Sequence, residues 1–287
     1  MKHLKFLSLI FLLIAFSAIN KDVCAQLRDS ILQNKIAIDS ILASEQLEKL
    51  KGEPVTYYST GFEVRAKAIQ QLISNCILFY ETKFPDKKFN VRLYLLNKSD
   101  WEKLPFDEPY GMPFYNRRNI IMVVAAEKNA LRRLTGLPDD PVKSDSILST
   151  FDYQPIHELG HYFFFTLNNL YKEKWLNEFL ATYFLICFIK EKNLVPELED
   201  ELKAGYSVAH KTLDDFQKLY GGVGPVNYHW YQCKFAQLGY KLYPQLKIGL
   251  IKNVIKNYSP GGENLDGISL LKKLAPEIMD EWLKEMQ

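Results

Sequence analysis

The chain has 287 residues, 47% hydrophobic and 24% charged, with 36 basic and 34 acidic residues and a formal net charge of +2. So even a balance gives no electrostatic footprint for nucleic acid or for an anionic membrane surface. The length suits one compact two-lobed domain with a sizeable core.

Residues 1–25 read as a cleaved signal peptide. Lys2 and Lys5 give a basic start, Phe6 to Ile19 an apolar run, and Val23-Cys24-Ala25 a small-residue cleavage site before Gln26. That run has 14 residues against the roughly 20 needed to span a bilayer, which argues against a retained anchor. Lys21-Asp22-Val23 ahead of Cys24 argues against lipidation. The mature chain is therefore expected to be exported, periplasmic or secreted, with no membrane span. Cleavage removes Lys2, Lys5 and Lys21 against Asp22, leaving 33 basic and 33 acidic residues. Cys76, Cys187 and Cys233 remain, an odd number in apolar helical contexts. They are expected to be buried free thiols rather than a disulfide framework.

Residues 26–52 read as a peripheral helical segment before the catalytic fold. Residues 54–58 carry the Val, Thr and Tyr content of a short strand. Residues 62–84 are helix-patterned through Val64, Ala68, Leu72, Cys76 and Phe79, and stop near Pro85. Residues 89–96 alternate Val91, Leu93 and Leu95 with Arg92 and Tyr94, a strand signal. Ser99-Asp100 is expected to cap a short helix over residues 101–104. Residues 119–126 form a second β-like run after Gly111-Met112-Pro113, with the position of a sheet edge able to bind an extended peptide. A Pro/Asp-rich loop over residues 137–146 follows. Asp152 is placed to cap the next helix, and Pro155 fits its first turn. No internal repeat is present. Strands in the first half and helices in the second give an α+β layout.

That next helix carries His157-Glu158-Leu159-Gly160-His161. Histidines at i and i+4 project from one helix face and can share a metal ion. Glu158, beside the first of them, is placed to take a proton from metal-bound water. This HExxH pattern is one that zinc metallopeptidases use, and imidazole suits Zn²⁺ at neutral pH. Five loosely constrained letters also arise by chance on amphipathic helices, so support is needed from elsewhere in the chain. Phe163, Phe164 and Phe165 read as core filler around this helix.

Such a site needs a third protein ligand and a fourth position open to water or substrate. Seventeen residues after His161 stands Glu178, in Trp175-Leu176-Asn177-Glu178-Phe179-Leu180-Ala181. Asn168 and Asn169 are turn formers between two helices. The second helix is nearly all apolar, and a carboxylate inside it is costly unless paired or metal-bound. The bland alternative is a Glu178 that faces solvent or pairs with Lys174.

His157, Glu158, His161, Asn177 and Glu178, with the flanking Trp-Leu-Asn-Glu-x-x-Ala, resemble the gluzincins, the zinc peptidase group that includes thermolysin and aminopeptidase N. The resemblance implies one Zn²⁺ per chain held by His157, His161 and Glu178, Glu158 as general base and Asn177 as a supporting residue. It also implies a zincin-like fold over residues 53–287: a sheet lobe with the HExxH helix (53–167), a helical lobe (168–287), and zinc in the cleft between. The gap from His161 to Glu178 is shorter than in the best-known members. Thr182 stands where thermolysin-like enzymes carry an Asp that orients a ligand histidine, which leaves the partners of both histidines open.

An oxyanion donor besides the metal is expected. The resemblance points to a Tyr or His near the start of a later helix, and Tyr228, in Val226-Asn227-Tyr228-His229-Trp230-Tyr231, matches the aminopeptidase-like position. His229 and Tyr231 are the alternatives. With 17 tyrosines in the chain, packing roles compete with this reading. The Gly-x-Met-Glu-Asn signature of aminopeptidases is absent, so aminopeptidase specificity is not supported. The expected activity is peptide-bond hydrolysis by zinc-activated water on a peptide or protein substrate. Two alternatives stand beside it: a zinc-binding interaction protein that no longer turns over substrate, and a zinc hydrolase of non-peptide amides or esters. Glu158 argues against the first, because a retired enzyme has no chemical need for that base.

Overall fold

The computed structural model describes residues 40, 46–104, 108–116, 121–127, 130, 152–165, 172–194 and 208–286. The expected signal peptide, the Pro/Asp-rich loop and the Asn168-Asn169 turn lie outside them. Among the described residues the fold is a mixed α+β arrangement. It runs β1 (Glu48–Leu50), β2 (Thr56–Tyr58), α1 (Glu63–Lys83), β3 (Arg92–Leu96), α2 (Lys98–Trp101), β4 (Phe114–Asn116) and β5 (Ile121–Ala125), then seven helices. These are α3 (Gln154–Phe165), α4 (Lys174–Glu191), α5 (Leu213–Leu219), α6 (Pro225–Leu246), α7 (Gly249–Tyr258), α8 (Gly267–Leu274) and α9 (Pro276–Glu285), with a 3₁₀ turn at Tyr220–Val223 joining α5 to α6.

The five strands lie in the order β1-β2-β3-β5-β4. β2, β3 and β5 are parallel, while β1 and β4 run antiparallel to their neighbours at the two edges. Three sequence expectations are corrected here. Glu48–Leu50, expected to finish a peripheral helix, is an edge strand paired with β2. The run at residues 119–126, expected at the edge, supplies β5, which is interior and buried at all five positions. The edge belongs to β4, three residues long and too short to leave an alternating pattern. The short helix starts three residues earlier than expected, because the Asn97 side chain accepts from the Asp100 backbone N–H and caps it.

Strand alternation splits the core between the two sheet faces. Leu93, Leu95, Met122 and Val124 point into the main core with α1 and the later helices. Tyr94, Leu96, Ile121, Val123 and Ala125 meet Trp101, Leu104 and Phe114 on the other face. In α1 the buried stripe is Ala66, Ile69, Ile73, Cys76 and Tyr80, a 3-4-3-4 spacing, and the expected Val64 lies on the outer face at 86% exposure. Cys76, Cys187 and Cys233 are free and buried.

α4 is buried at nearly every position from Trp175 to Ile189, as expected of a helix apolar all round. It packs against α3 on one side and α6 on the other. Its first turn is tied down by polar contacts: Glu173 accepts from the Gly267 N–H and the Tyr258 hydroxyl, and Gln217 of α5 accepts from the Lys174 N–H. Phe163 and Phe164 are buried as expected, but Phe165 is 48% exposed, because the outer face of α3 turns to solvent at its last residue. No helix among the described residues is long and apolar enough to cross a membrane.

Candidate metal centre

α3 places His157 and His161 one turn apart, with Pro155 in its first turn and Asp152 just ahead of it paired to Arg65 of α1 at 2.7 Å. The two Nε2 atoms lie 3.1 Å apart. Across from them, α4 presents Glu178, which is 2% exposed. Its Oε2 is 3.4 Å from His157 Nε2 and its Oε1 is 3.6 Å from His161 Nε2. Glu178 therefore neither faces solvent nor depends on Lys174.

These spacings can be tested against the needs of a metal. Bonds of 2.0–2.2 Å at tetrahedral angles place donor atoms about 3.3–3.6 Å apart. The two imidazole nitrogens, 3.1 Å apart, lie just short of that range, and Glu178 meets it at 3.4 Å through Oε2 and at 3.6 Å through Oε1. One ligand atom from each of His157, Glu158 and His161 also falls within 4.8 Å of the others, so this group could hold a metal ion as well. Of the two carboxylates, Glu178 comes within 3.4 Å of one ring and 3.6 Å of the other. Glu158 is engaged differently: its Oε2 accepts from the backbone N–H of Tyr115 on β4, at 3.0 Å.

His157 and Glu178 have hydrogen-bond partners of their own. The Thr182 hydroxyl lies 3.2 Å from His157 Nδ1. The Asn177 side chain helps to raise the His161 imidazole. Glu178 Oε1 accepts from the Tyr220 hydroxyl at 2.6 Å, and Oε2 from the Gln232 amide at 2.8 Å. Of the histidine partners left open by the sequence, that of His157 is Thr182, on α4. Thr182 sits one turn beyond Glu178, a spacing visible in the sequence.

Burial raises the Glu158 carboxyl above its ordinary range and Glu178 pushes it further, while the two imidazoles and the Tyr115 N–H oppose the rise. At Glu178 burial acts upward but is outweighed by the nearby His161 and His157 imidazoles, so its carboxyl falls well below the usual value. At His161 burial acts downward, yet the Glu178 carboxylate prevails and the imidazole is raised to about 9.

Of the expected oxyanion donors, Tyr228 is half-buried beside this cluster. Burial and then the Glu178 carboxylate raise its hydroxyl well above the ordinary value, and its ring meets that of Tyr220 edge-on at 6.0 Å. Tyr231 faces the core instead: it is fully buried, its ring packs on Phe216 and Phe235, and its hydroxyl donates to the Thr212 carbonyl. His229 is exposed, with Nε2 3.6 Å from Cys233 Sγ on its own helix. The helical turn separates them, since Tyr228 and Gln232 share the face toward Glu178 while His229 and Cys233 lie on the next.

Tyr220, Gln232 and Tyr115 belong to this site and carried no motif. Gln232 had a signal in its i+4 relation to Tyr228. Tyr220 adopts φ of +50° ahead of Gly221 and Gly222, a turn whose direction the sequence did not reveal. A scan of protein-family models, a search of curated proteins and a search of solved structures each returned no match for this chain.

Proposed function

We propose that the chain is an exported zinc-dependent metallopeptidase of the gluzincin type, with His157, His161 and Glu178 as ligands. The observation that carries this reading is the convergence of two imidazole Nε2 atoms and the Glu178 carboxylate at 3.1–3.6 Å, with Glu158 alongside. Two nitrogens and one oxygen are the donor set of a catalytic rather than a structural zinc site, where ligation is closed and sulfur-rich. Zn²⁺ bound there would polarise a carbonyl and lower the pKa of a coordinated water to about 7.

Glu158 is the general base. It takes the proton of the attacking water and returns it to the leaving amine, and a carboxyl raised by burial is better matched to that exchange near neutral pH. Tyr228, held in its protonated form by burial and by Glu178, is the donor for the developing oxyanion. β4 is an edge strand and meets Glu158 through Tyr115. An extended peptide added to that edge would run past the base. Export rests on the N-terminal sequence pattern.

The test is turnover of a mixed peptide library by the mature chain, stripped with a chelator and reloaded with Zn²⁺. Cleavage that returns with zinc supports the proposal. Tight zinc binding with no turnover of peptides, amides or esters would make it a binding protein. Turnover confined to non-peptide amides or esters would keep the chemistry and change the substrate.

A further inference from the structure

A continuous set of hydrogen bonds joins His157 to Glu178 away from the ligand atoms. The Thr182 hydroxyl lies 3.2 Å from His157 Nδ1 and 3.3 Å from Gln232 Oε1, and Gln232 Nε2 donates to Glu178 Oε2 at 2.8 Å. Thr182 is 7% exposed, so water does not readily stand in for these partners.

The direction of every bond in this set is forced from one end. An ionised carboxylate only accepts, so Gln232 must turn its NH₂ toward Glu178 and its oxygen toward Thr182. An amide oxygen also only accepts, so the Thr182 hydroxyl must spend its single proton on Gln232. What Thr182 offers His157 is then a lone pair, which requires a proton on Nδ1. A neutral imidazole with its proton on Nδ1 has its free lone pair on Nε2, the atom aimed at His161 and Glu178.

We propose that Thr182 and Gln232 form a neutral relay through which Glu178 sets the tautomer of His157 and turns its Nε2 lone pair toward the metal. The proposal rests on the metal-centre reading above. A ligand histidine commonly gives its second N–H to a carboxylate or a backbone carbonyl. Here a hydroxyl and an amide do that work and add no charge, so one carboxylate serves both as ligand and as the anchor of the relay. Thr182 and Gln232 are positioning residues, since they act on the metal through His157 and Glu178.

Two readouts need no peptide substrate: the Zn²⁺ dissociation constant, by competition with a chromophoric chelator, and the His157 tautomer, by ¹⁵N NMR of the imidazole. Thr182→Val and Gln232→Met should each weaken zinc by ~10–100-fold, the range typical of groups that orient metal ligands. The double variant should lose little more than the weaker-binding single, because both break one chain. Thr182→Ser, which keeps the hydroxyl, should bind close to wild type. Gln232 bonds to Thr182 and Glu178, so a mixed His157 tautomer in Gln232→Met is a response that a merely structural role would not give. Fully additive losses, or a Thr182→Val chain with unchanged affinity and an unchanged ring, would overturn the relay. If the wild-type chain takes up no divalent metal, the proposed function fails while the NMR readout on the metal-free chain still decides the relay. There, Nδ1–H in wild type and its loss in Gln232→Met supports it, and an unchanged ring sinks it.

Discussion

Gly160 of α3 and Ala181 of α4 meet backbone to backbone: a Cβ on Gly160 would stand 2.9 Å from the Ala181 Cα and 3.1 Å from its carbonyl oxygen. Gly160 lies between the two histidines, and Ala181 is one turn from Glu178. This contact sets the distance between the helices that carry the proposed ligands. Gly160→Ala must push α4 away, since backbone cannot yield as a flexible side chain can. Overpacking of this kind typically costs about 1–3 kcal/mol. Denaturant unfolding should show that loss, and chelator competition should show weaker zinc. A Gly160→Ala chain with wild-type values in both would mean that the helix spacing is not what sets the site.

Binding and chemistry should separate at Glu158. Glu158→Gln removes the proposed base and leaves the three proposed ligands, so zinc should be retained while hydrolysis falls by at least ~10²–10⁴, the usual contribution of a general base. His161→Ala removes a ligand and should lose both. Metal analysis beside peptide turnover distinguishes the two. A Glu158→Gln chain that cleaves at near wild-type rate would remove Glu158 from its role.

Much of the site was legible because helical spacing converts directly into geometry. The i, i+4 histidines and the acidic residue buried in an apolar helix follow from a 3.6-residue period, whereas Tyr228 was singled out by the gluzincin resemblance alone. Thr182 and Gln232 follow the same period, at one turn from Glu178 and Tyr228, but only once α4 and α6 are known to face each other. Strand β4 left no such mark, having three residues between a Gly-Met-Pro turn and its partner. Tyr220 was hidden for another reason. Its φ of +50° redirects the chain after α5, and backbone direction at such a turn is settled by tertiary contacts rather than by local preference. Tyr231 shows the converse, a tyrosine within the right motif whose phase on the helix points its ring into the core.

Metal binding should release a proton at neutral pH. In the chelator-treated protein burial disfavours the His161 cation, but the Glu178 carboxylate and the Asn177 side chain raise the imidazole from 6.5 to about 9. A folded-state value above the unfolded one means that this interaction stabilises the fold fully below the unfolded value and is lost as pH rises through about 9. Zn²⁺ requires the neutral ring, so at pH 7 it must displace that proton. Calorimetric titration of the metal-free chain in buffers of different ionisation enthalpy should show release of about one proton at pH 7. The release should fade above the His161 value. Heats at pH 7 that do not depend on the buffer would contradict the coupling between His161 and Glu178.

Tyr220 and Tyr228 both stand beside Glu178, and their contacts predict different kinetic signatures. Tyr220 donates to Glu178 Oε1 at 2.6 Å, a hydrogen bond made before any substrate arrives. Its loss in Tyr220→Phe should act on the ligand and appear first as weaker zinc. Tyr228 stands on the same side of Glu178 with its hydroxyl held protonated by burial. If it meets the developing oxyanion, Tyr228→Phe should lower kcat by ~10²–10³ with little change in KM and with zinc retained, because the bond strengthens only as charge builds. His229→Ala should be mild, since that side chain is exposed on the adjoining face of α6. Steady-state kinetics on the three zinc-saturated variants decide the assignment. A large kcat loss in Tyr220→Phe at full zinc occupancy, with Tyr228→Phe near wild type, would transfer the role to Tyr220. Its turn ahead of Gly221 and Gly222 would then have to release the hydroxyl from Glu178 during each cycle.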